Sequence, residues 1–164
     1  YSLNDISRMS LPKPTSKTNF EGFDINVAGN NESSDESYLL PNNPNRKYAL
    51  QKGRYPNEIA TGTDDEDEWW HYSDPYIAEV TPQQYFDLCY NLVFRRTPPD
   101  ISNEQLMKTV LDIDNAKQYA NMMKNGTKFY MPYINLRTEN QEGRHRAYAA
   151  YLNGYETIPC EILI

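Results

Sequence analysis

The chain has 164 residues, a net charge of −7 and an apolar share of 38%. This length predicts one domain with a modest hydrophobic core. No run approaches the roughly 18 apolar residues of a membrane helix, and no charged start precedes an apolar signal segment. The sequence therefore excludes an obvious membrane span.

The excess acidic charge lies in the first half of the chain. Residues 1–80 contain 14 acidic and 7 basic side chains, whereas residues 81–164 contain nine of each. Nucleic-acid backbones are bound by concentrated Lys and Arg, so the whole chain predicts a poor nonspecific DNA binder. A local basic site in the second half still suits a phosphorylated ligand, and the acidic half suits a basic protein partner.

The composition of residues 1–73 predicts an acidic, loop-rich extension that wraps or flanks the core. These residues are rich in Asn, Ser, Pro, Gly and Asp. Residues 11–14 favour an extended turn because every second residue is proline. The alternation of Phe23, Ile25 and Val27 favours a short strand. We find no catalytic pattern in this extension.

The sequence predicts no metal site. Two Cys and two His at their spacings form no zinc motif. The acidic run at residues 64–68 favours a solvated loop, because adjacent carboxylates repel one another. We expect Cys89 and Cys160 to be reduced and buried, with a single disulfide as the alternative.

A capped helix is predicted after residue 80. Thr81 suits the N-cap, Pro82 the first helical position and Gln84 the third. The apolar residues that recur at helical spacing are Tyr85, Leu88, Cys89 and Leu92.

Two further helical regions and three strands complete the second half. One region begins at Ser102, and another covers about residues 115–124 and ends at Asn125-Gly126. The expected apolar stripe of the first comprises Leu106, Val110 and Ile113, and that of the second Ala116, Tyr119, Ala120 and Met123. Strands are expected at residues 74–80, 129–136 and 157–164, with a polar turn or loop at 137–141. The predicted class is α/β (α+β): residues 74–164 form a small mixed sheet packed with helices.

Residues 142–154 contain a concentrated basic cluster at a predicted helix start. A helix N-terminus offers unbonded backbone N–H groups and the positive end of the helix dipole, which together favour an anion. The guanidinium groups of Arg144 and Arg146 can each donate a fork of hydrogen bonds to phosphate oxygens. The candidate phosphate- or nucleotide-binding residues are Gly143, Arg144, His145 and Arg146.

Two neighbouring residues are candidates for catalysis. His145 could serve as an acid or base near neutral pH, and Glu142 is the nearest carboxylate, suited to a base or a metal ligand. The alternative is that Arg144 and Arg146 are surface residues, one of them paired with Glu142 or Glu139.

The second half resembles the ParB/sulfiredoxin superfamily, especially the ParB-like domains of phages and mobile elements. The resemblance covers roughly residues 74–164. It rests on Asn125-Gly126, Pro132-Tyr133-Ile134, Glu142-Gly143-Arg144-His145-Arg146, Ala149-Ala150, Gly154 and Ile158-Pro159. It implies a small α/β fold, a nucleotide phosphate at the start of the Gly-x-His-Arg helix, and a cytoplasmic location in a bacterial host. Members include CTP-hydrolysing partition proteins, sulfiredoxin, a free-serine kinase and nucleases, so the fold does not select the reaction.

Departures from the family motifs narrow the choice. At this helix start, sulfiredoxins carry a motif similar to Gly-Cys-His-Arg. Here Arg144 occupies the cysteine position, so sulfinic-acid reduction is not expected. Partition proteins carry Gly-Glu-Arg-Arg, and here Arg144 and His145 replace the glutamate and the first arginine.

Three functions remain in view. The leading hypothesis is a ParB-like domain that hydrolyses a nucleotide or a phosphodiester, with Mg²⁺ accompanying a nucleoside triphosphate. A second is a non-catalytic module that senses a nucleotide or binds a protein. A third is a toxin or effector at the C-terminus of a longer protein.

Overall fold

A computed structural model of the protein describes residues 11–25, 76–136 and 139–163. These residues form four α-helices, one π-helical segment and six strands in two small sheets, which agrees with the predicted mixed α/β class. The strands are β1 (Phe23–Asp24), β2 (Tyr76–Val80), β3 (Phe129–Tyr130), β4 (Tyr133–Asn135), β5 (Asn140–Glu142) and β6 (Ile158–Leu163). The helices are α1 (Pro82–Leu88), continued by the π-helical segment Cys89–Phe94, then α2 (Glu104–Met107), α3 (Ile113–Lys124) and α4 (Arg144–Leu152).

The larger sheet is mixed, as the sequence predicts. Its strand order is β2-β6-β4-β5, in which β6 runs antiparallel to β2 and parallel to β4, and β5 runs antiparallel to β4. The smaller sheet consists of β1 and β3 in parallel. The order places β2 and β5 at the two edges of the larger sheet.

The start of α1 follows the sequence prediction closely. The Thr81 side chain accepts a hydrogen bond from the Gln84 N–H, and the Gln84 side chain accepts one from the Thr81 N–H. This reciprocal pair satisfies two N–H groups that the helix itself cannot bond. The predicted apolar face is also confirmed, since Tyr85, Leu88, Cys89 and Leu92 are buried.

The predicted second helical region is shorter than expected. Helix α2 ends at Met107, and Leu106 is 38% exposed while Met107 is fully buried, so the assignment of Leu106 to the inward face is wrong. The helical conformation is interrupted before Asp112. The Asp112 side chain caps α3 by accepting a hydrogen bond from the Asn115 N–H. Ile113 therefore opens the next helix. In α3 all four predicted core residues are buried.

The predicted strand at residues 129–136 is divided in two. β3 pairs with β1 and β4 belongs to the larger sheet, and the chain passes between them at Met131 and Pro132. Proline lacks the N–H that a continuous ladder would need. The expected turn or loop at 137–141 is also wrong in part, because β5 forms an antiparallel hairpin with β4.

Of the predicted extension, only residues 11–25 are described. They contain the expected short strand, β1 at Phe23–Asp24, while Val27 and the acidic run at 64–68 lie outside the described residues. The isolated bridge from Pro14 to Ala78 and the Thr15 N–H bond to the Ile77 carbonyl place residues 11–17 along β2.

The core joins the helices to one face of the larger sheet. Helix α4 packs mainly against α3 and less extensively against α1. Cys89 and Cys160 are free and fully buried in this core, as expected. Burial raises the pKa of the Cys89 thiol to about 12 and that of Cys160 well above its ordinary value. Within the described ranges, no helix has the length and apolarity that a membrane span requires.

Candidate functional site

The structure confirms the helix start that the sequence predicts after Gly143. The backbone conformation and the close neighbours of residue 143 favour glycine at that position. Gly143 is the N-cap residue with φ of +123°, a conformation that residues with a side chain rarely adopt. A Cβ atom at this position would lie 2.5 Å from the Pro132 Cβ and 2.8 Å from its Cα. Gly143 therefore packs closely on Pro132, and this contact fixes the turn between β5 and α4.

The first turn of α4 has no side-chain cap. No side chain of the N-cap residue bonds to the turn, and the Ala147 N–H bonds to the Gly143 carbonyl at 2.8 Å. The N–H groups of residues 144–146 precede this bond and have no acceptor within the helix. Such a turn favours an anion through both its donors and its dipole.

Arg146 is the most unusual side chain of the site. Only 1% of its surface is exposed, and neither Nη1 nor Nη2 has a hydrogen-bond partner among the described residues. Buried polar groups are normally hydrogen-bonded, because an unbonded buried donor is costly and an unpaired buried charge more so. The alternative in which Arg146 is a surface residue is wrong.

Arg144 is held by other contacts. Its Nη1 donates to the Val110 carbonyl at 3.0 Å, and its guanidinium carbon lies 5.5 Å from the ring centroid of Phe94. These contacts tie the start of α4 to the segment after α2 and to the π-helical segment. Glu139 pairs with Arg95, and the alternative in which Glu139 pairs with Arg144 or Arg146 is not observed.

His145 bridges the starts of two helices. Its Nε2 accepts a hydrogen bond of 3.1 Å from the backbone N–H of Asp112, the N-cap residue of α3. A ring nitrogen that accepts cannot carry a proton, so the imidazole is neutral with its proton on Nδ1. Burial lowers the pKa of His145, and the nearby Arg144 lowers it further against the opposing effect of Asp112. This bond must break before Nε2 can take a proton from a substrate.

Glu142 ends β5 and is half-buried directly before the glycine turn. The buried Tyr85 lies in the same neighbourhood, and its hydroxyl donates to the Gln141 Oε1 at 3.1 Å. Burial raises the pKa of Tyr85 well above its ordinary value; Cys89, Cys160 and Glu142 raise it further, and only Arg146 opposes them. Tyr85 therefore remains a proton donor at neutral pH. Sequence reasoning placed Tyr85 in the core but missed its contact with the site.

Sequence reasoning also missed Glu161. The register pairs Tyr133 with Glu142 on one side and with Glu161 on the other, so the three residues share one row and one face of the sheet. Glu161 is only 6% exposed. A lone charged residue inside the apolar strand at 157–164 was the available signal. In the part of the chain that the structure describes, no three His, Cys, Asp or Glu residues are grouped to hold a metal ion.

Comparisons with protein-family models, with curated proteins and with solved structures give no match. The resemblance to the ParB/sulfiredoxin superfamily therefore stays a prediction that rests on the residues quoted for it.

Proposed function

We propose that residues 76–163 form a ParB-like phosphate-binding domain that holds the phosphate of a nucleotide or nucleic acid at the first turn of α4. The observation that carries this proposal is that the two terminal nitrogens of Arg146 are fully buried and have no hydrogen-bond partner among the described residues. They belong to the third residue of a nine-residue helix that begins at an uncapped glycine turn.

A bound phosphate would supply hydrogen bonds to the buried terminal nitrogens of Arg146. An unpaired guanidinium in a protein interior costs several kcal/mol, of the order of the loss seen when a buried ion pair is broken. A phosphate supplies both the opposite charge and acceptors that match the planar fork. The N–H groups of residues 144–146 would add donors to the same ligand.

Access to the site requires movement. Both Nη atoms of Arg146 are shielded from solvent, so a phosphate reaches them only after neighbouring groups shift. The contacts that hold the turn include the packing of Gly143 on Pro132, the bond from Arg144 to the Val110 carbonyl and the bond from Asp112 to His145. We expect binding to be coupled to a local opening of the α4 start, with association slower than a diffusion-limited encounter.

The order of elements supports a ParB-like assignment. The Gly-x-His-Arg sequence begins a helix directly after an edge strand, and that helix is followed by a strand that starts with Ile158-Pro159. This is the arrangement that the resemblance implies for a nucleotide phosphate site.

The proposed reaction is hydrolysis of a nucleotide or a phosphodiester. Glu142 is the candidate base because it lies directly before the phosphate-binding turn, and His145 is the second candidate. Mg²⁺ enters this proposal as the ion that a nucleoside triphosphate carries.

One observation favours a second function, nucleotide binding without turnover. The His145 Nε2 already accepts the Asp112 N–H, so one of the two candidate catalytic groups is committed to a structural bond. In a protein that binds a nucleotide without turnover, the opening of the first turn of α4 would itself signal that the nucleotide is bound. The signal would reach α3 because the bond from Asp112 to His145 links α3 to α4.

Calorimetric titration with inorganic phosphate and with CTP, ATP and GTP, each with and without Mg²⁺, tests the binding proposal. Arg146→Met should abolish binding. It should also raise the free energy of unfolding of the unliganded protein by about 1–4 kcal/mol, because a methionine fills similar space without a buried charge. Phosphate release and cleavage of a labelled oligonucleotide separate hydrolysis from binding.

Arg144→Met is the matched control. It removes a guanidinium from the same turn, but this one is bonded to Val110 and lies over Phe94, so stability should fall by about 1 kcal/mol. If Arg146→Met raises the free energy of unfolding and Arg144→Met lowers it, Arg146 is the destabilising group that a bound phosphate would stabilise. A wild-type protein that binds none of these phosphates would refute the proposed function.

A further inference from the structure

Tyr85 lies in the interior where α1 meets the edge strand β5. None of its surface is exposed, and its hydroxyl donates to the Gln141 Oε1 at 3.1 Å. Gln141 stands opposite Ile134 in the register of β4 and β5, and Ile134 belongs to the hydrophobic core. The Tyr85 hydroxyl is therefore a buried polar group on the inner, core-facing side of β5.

Arg146 enters the same interior from α4. Residues three and four positions apart lie on one face of a helix, so Arg146 shares a face with Ala149 and Ala150. Both alanines are fully buried in the core, and α4 packs against α1. The positive charge of Arg146 acts on the Tyr85 hydroxyl, since it opposes the rise in the pKa of Tyr85. The guanidinium and the hydroxyl thus lie in one neighbourhood.

Both groups are hydrogen-bond donors. A guanidinium has no acceptor atom, and the two terminal nitrogens of Arg146 have no hydrogen-bond partner among the described residues. The Tyr85 hydroxyl keeps its hydrogen at neutral pH, because burial holds the pKa of Tyr85 well above its ordinary value. An anion with several acceptor oxygens would accept hydrogen bonds from both residues at once.

A tyrosine hydroxyl can change its acceptor while the ring stays in place. Its hydrogen rotates about the bond between the ring and the oxygen and turns to the better acceptor. A phosphate oxygen carries negative charge and accepts a stronger hydrogen bond than the neutral amide oxygen of Gln141. A forked contact with Arg146 uses two phosphate oxygens and leaves a further oxygen for Tyr85.

We propose that Tyr85 is a second buried ligand contact of the phosphate site. Its hydroxyl donates to Gln141 in the free protein and to a phosphate oxygen in the complex. This inference rests on the proposed function, because it assigns a further binding residue to the same site. It also makes Gln141 a competitor of the ligand for the Tyr85 hydroxyl.

Two substitutions in the full chain remove the bond between Tyr85 and Gln141 from opposite ends. Tyr85→Phe deletes the hydroxyl, whereas Gln141→Met deletes the amide acceptor and leaves the hydroxyl in place. Calorimetric titration with inorganic phosphate compares both variants with the wild type. Tyr85→Phe should lower the affinity about tenfold, because it loses a hydrogen bond to a charged group. Gln141→Met should bind phosphate at least as tightly as the wild type, because the competing acceptor is gone.

Nuclear magnetic resonance of the protein with ¹³C-labelled tyrosine gives a second, direct readout. The Cζ signal of Tyr85 is identified by its absence from the spectrum of Tyr85→Phe. Because this carbon carries the hydroxyl, its signal should shift when phosphate is added to the wild type and to Gln141→Met. A Tyr85 signal that does not respond to bound phosphate would overturn the proposed contact.

The paired design separates a ligand contact from a purely structural bond. Both variants lose the same internal hydrogen bond, so chemical denaturation without phosphate should show similar losses of stability. If the hydroxyl only supported the fold, the two variants would also bind phosphate equally, and that result would overturn the inference. A wild type that binds no phosphate would instead refute the proposed function together with this inference.

Discussion

Two helix starts in this protein differ in how completely their hydrogen bonds are satisfied. At α1, Thr81 and Gln84 bond each other's backbone N–H groups, and proline occupies the first helical position. At α4, the N-cap residue is glycine and has no side chain to bond the first turn. The buried Arg146 follows, and neither of its terminal nitrogens has a hydrogen-bond partner in the described part of the chain. The first start satisfies two of its N–H groups within four consecutive residues, whereas the second has no side-chain bond to its first turn.

This difference separates a stabilising element from a candidate site. Asn103 and Asp112 cap α2 and α3 with side-chain oxygens, so α4 is the one α-helix among the described residues whose N-cap side chain makes no such bond. Under the proposed function, the uncapped N–H groups beside the buried Arg146 are the donors that would bind the phosphate. The following substitutions test that comparison, beginning with the largest expected effect.

The glycine of the open start should be the most sensitive position. Gly143→Ala combines an unfavourable positive φ with a Cβ that overlaps Pro132, so the free energy of unfolding should fall by about 3 kcal/mol or more. Chemical denaturation measures it. Gly126→Ala is the control, because Gly126 has φ of +101° but no atom within 4 Å of the added Cβ, and should cost about 1 kcal/mol. Equal losses would mean that the approach to Pro132 contributes nothing.

The closed start should lose about 1 kcal/mol when its cap is removed. Thr81→Ala deletes the acceptor of the Gln84 N–H, while Thr81→Ser keeps it and should remain near wild type. Thermal unfolding with and without phosphate should give the same stabilisation by phosphate in both variants. A Thr81→Ala variant that loses its response to phosphate would contradict the separation of the two helix starts.

The smallest effect is the pH response of the bond between His145 and Asp112. The pKa of His145 lies below its ordinary value of 6.5 in the fold, so the unfolded chain takes up the proton first. The stabilising contribution of neutral His145 is complete above about pH 6.5 and is lost as the pH falls through the lower folded pKa. The denaturation midpoint of the wild type should therefore decline as the pH falls below about 6.5.

His145→Gln should flatten this decline, because glutamine has an oxygen that can accept the Asp112 N–H and no proton to gain in this range. The carboxyls of Glu79 and Asp100 have lowered pKa values and are common to both proteins, so they cancel in the comparison. Parallel pH profiles for the two proteins would show that His145 does not respond to pH in this way.

Local signals in the sequence were read correctly where a feature depends on a few neighbouring residues. The cap formed by Thr81 and Gln84, the inward face of α3 and the final strand all follow from short patterns. The sequence predicts neither the division of residues 129–136 into two strands nor the hairpin that β5 forms with β4. These strands are set by which sheet each short segment joins, and Pro132 was the local signal for the division.

Candidate residues of the site were only partly predictable. The basic cluster at a helix start was visible because glycine, arginine and histidine stand together. The different situations of the two arginines were not visible, since residues 144 and 146 point to different sides of α4 and meet different neighbours. The bonds from Asp112 to His145 and from Tyr85 to Gln141 join residues 33 and 56 positions apart, and no local pattern encodes them.

By itself the sequence determined that a helix starts directly after Gly143 with a cluster of basic residues in its first turn, because helix capping and turn conformation are local properties. Only the tertiary structure decided that Arg146 is buried without a described hydrogen-bond partner for its terminal nitrogens, that Arg144 and His145 are engaged elsewhere, and that residues 11–17 lie along β2. Burial and hydrogen-bond satisfaction depend on segments that are distant in the chain and adjacent in the fold. The distinction between a basic surface turn and a candidate phosphate site therefore appears only when α4 is packed against α1 and α3.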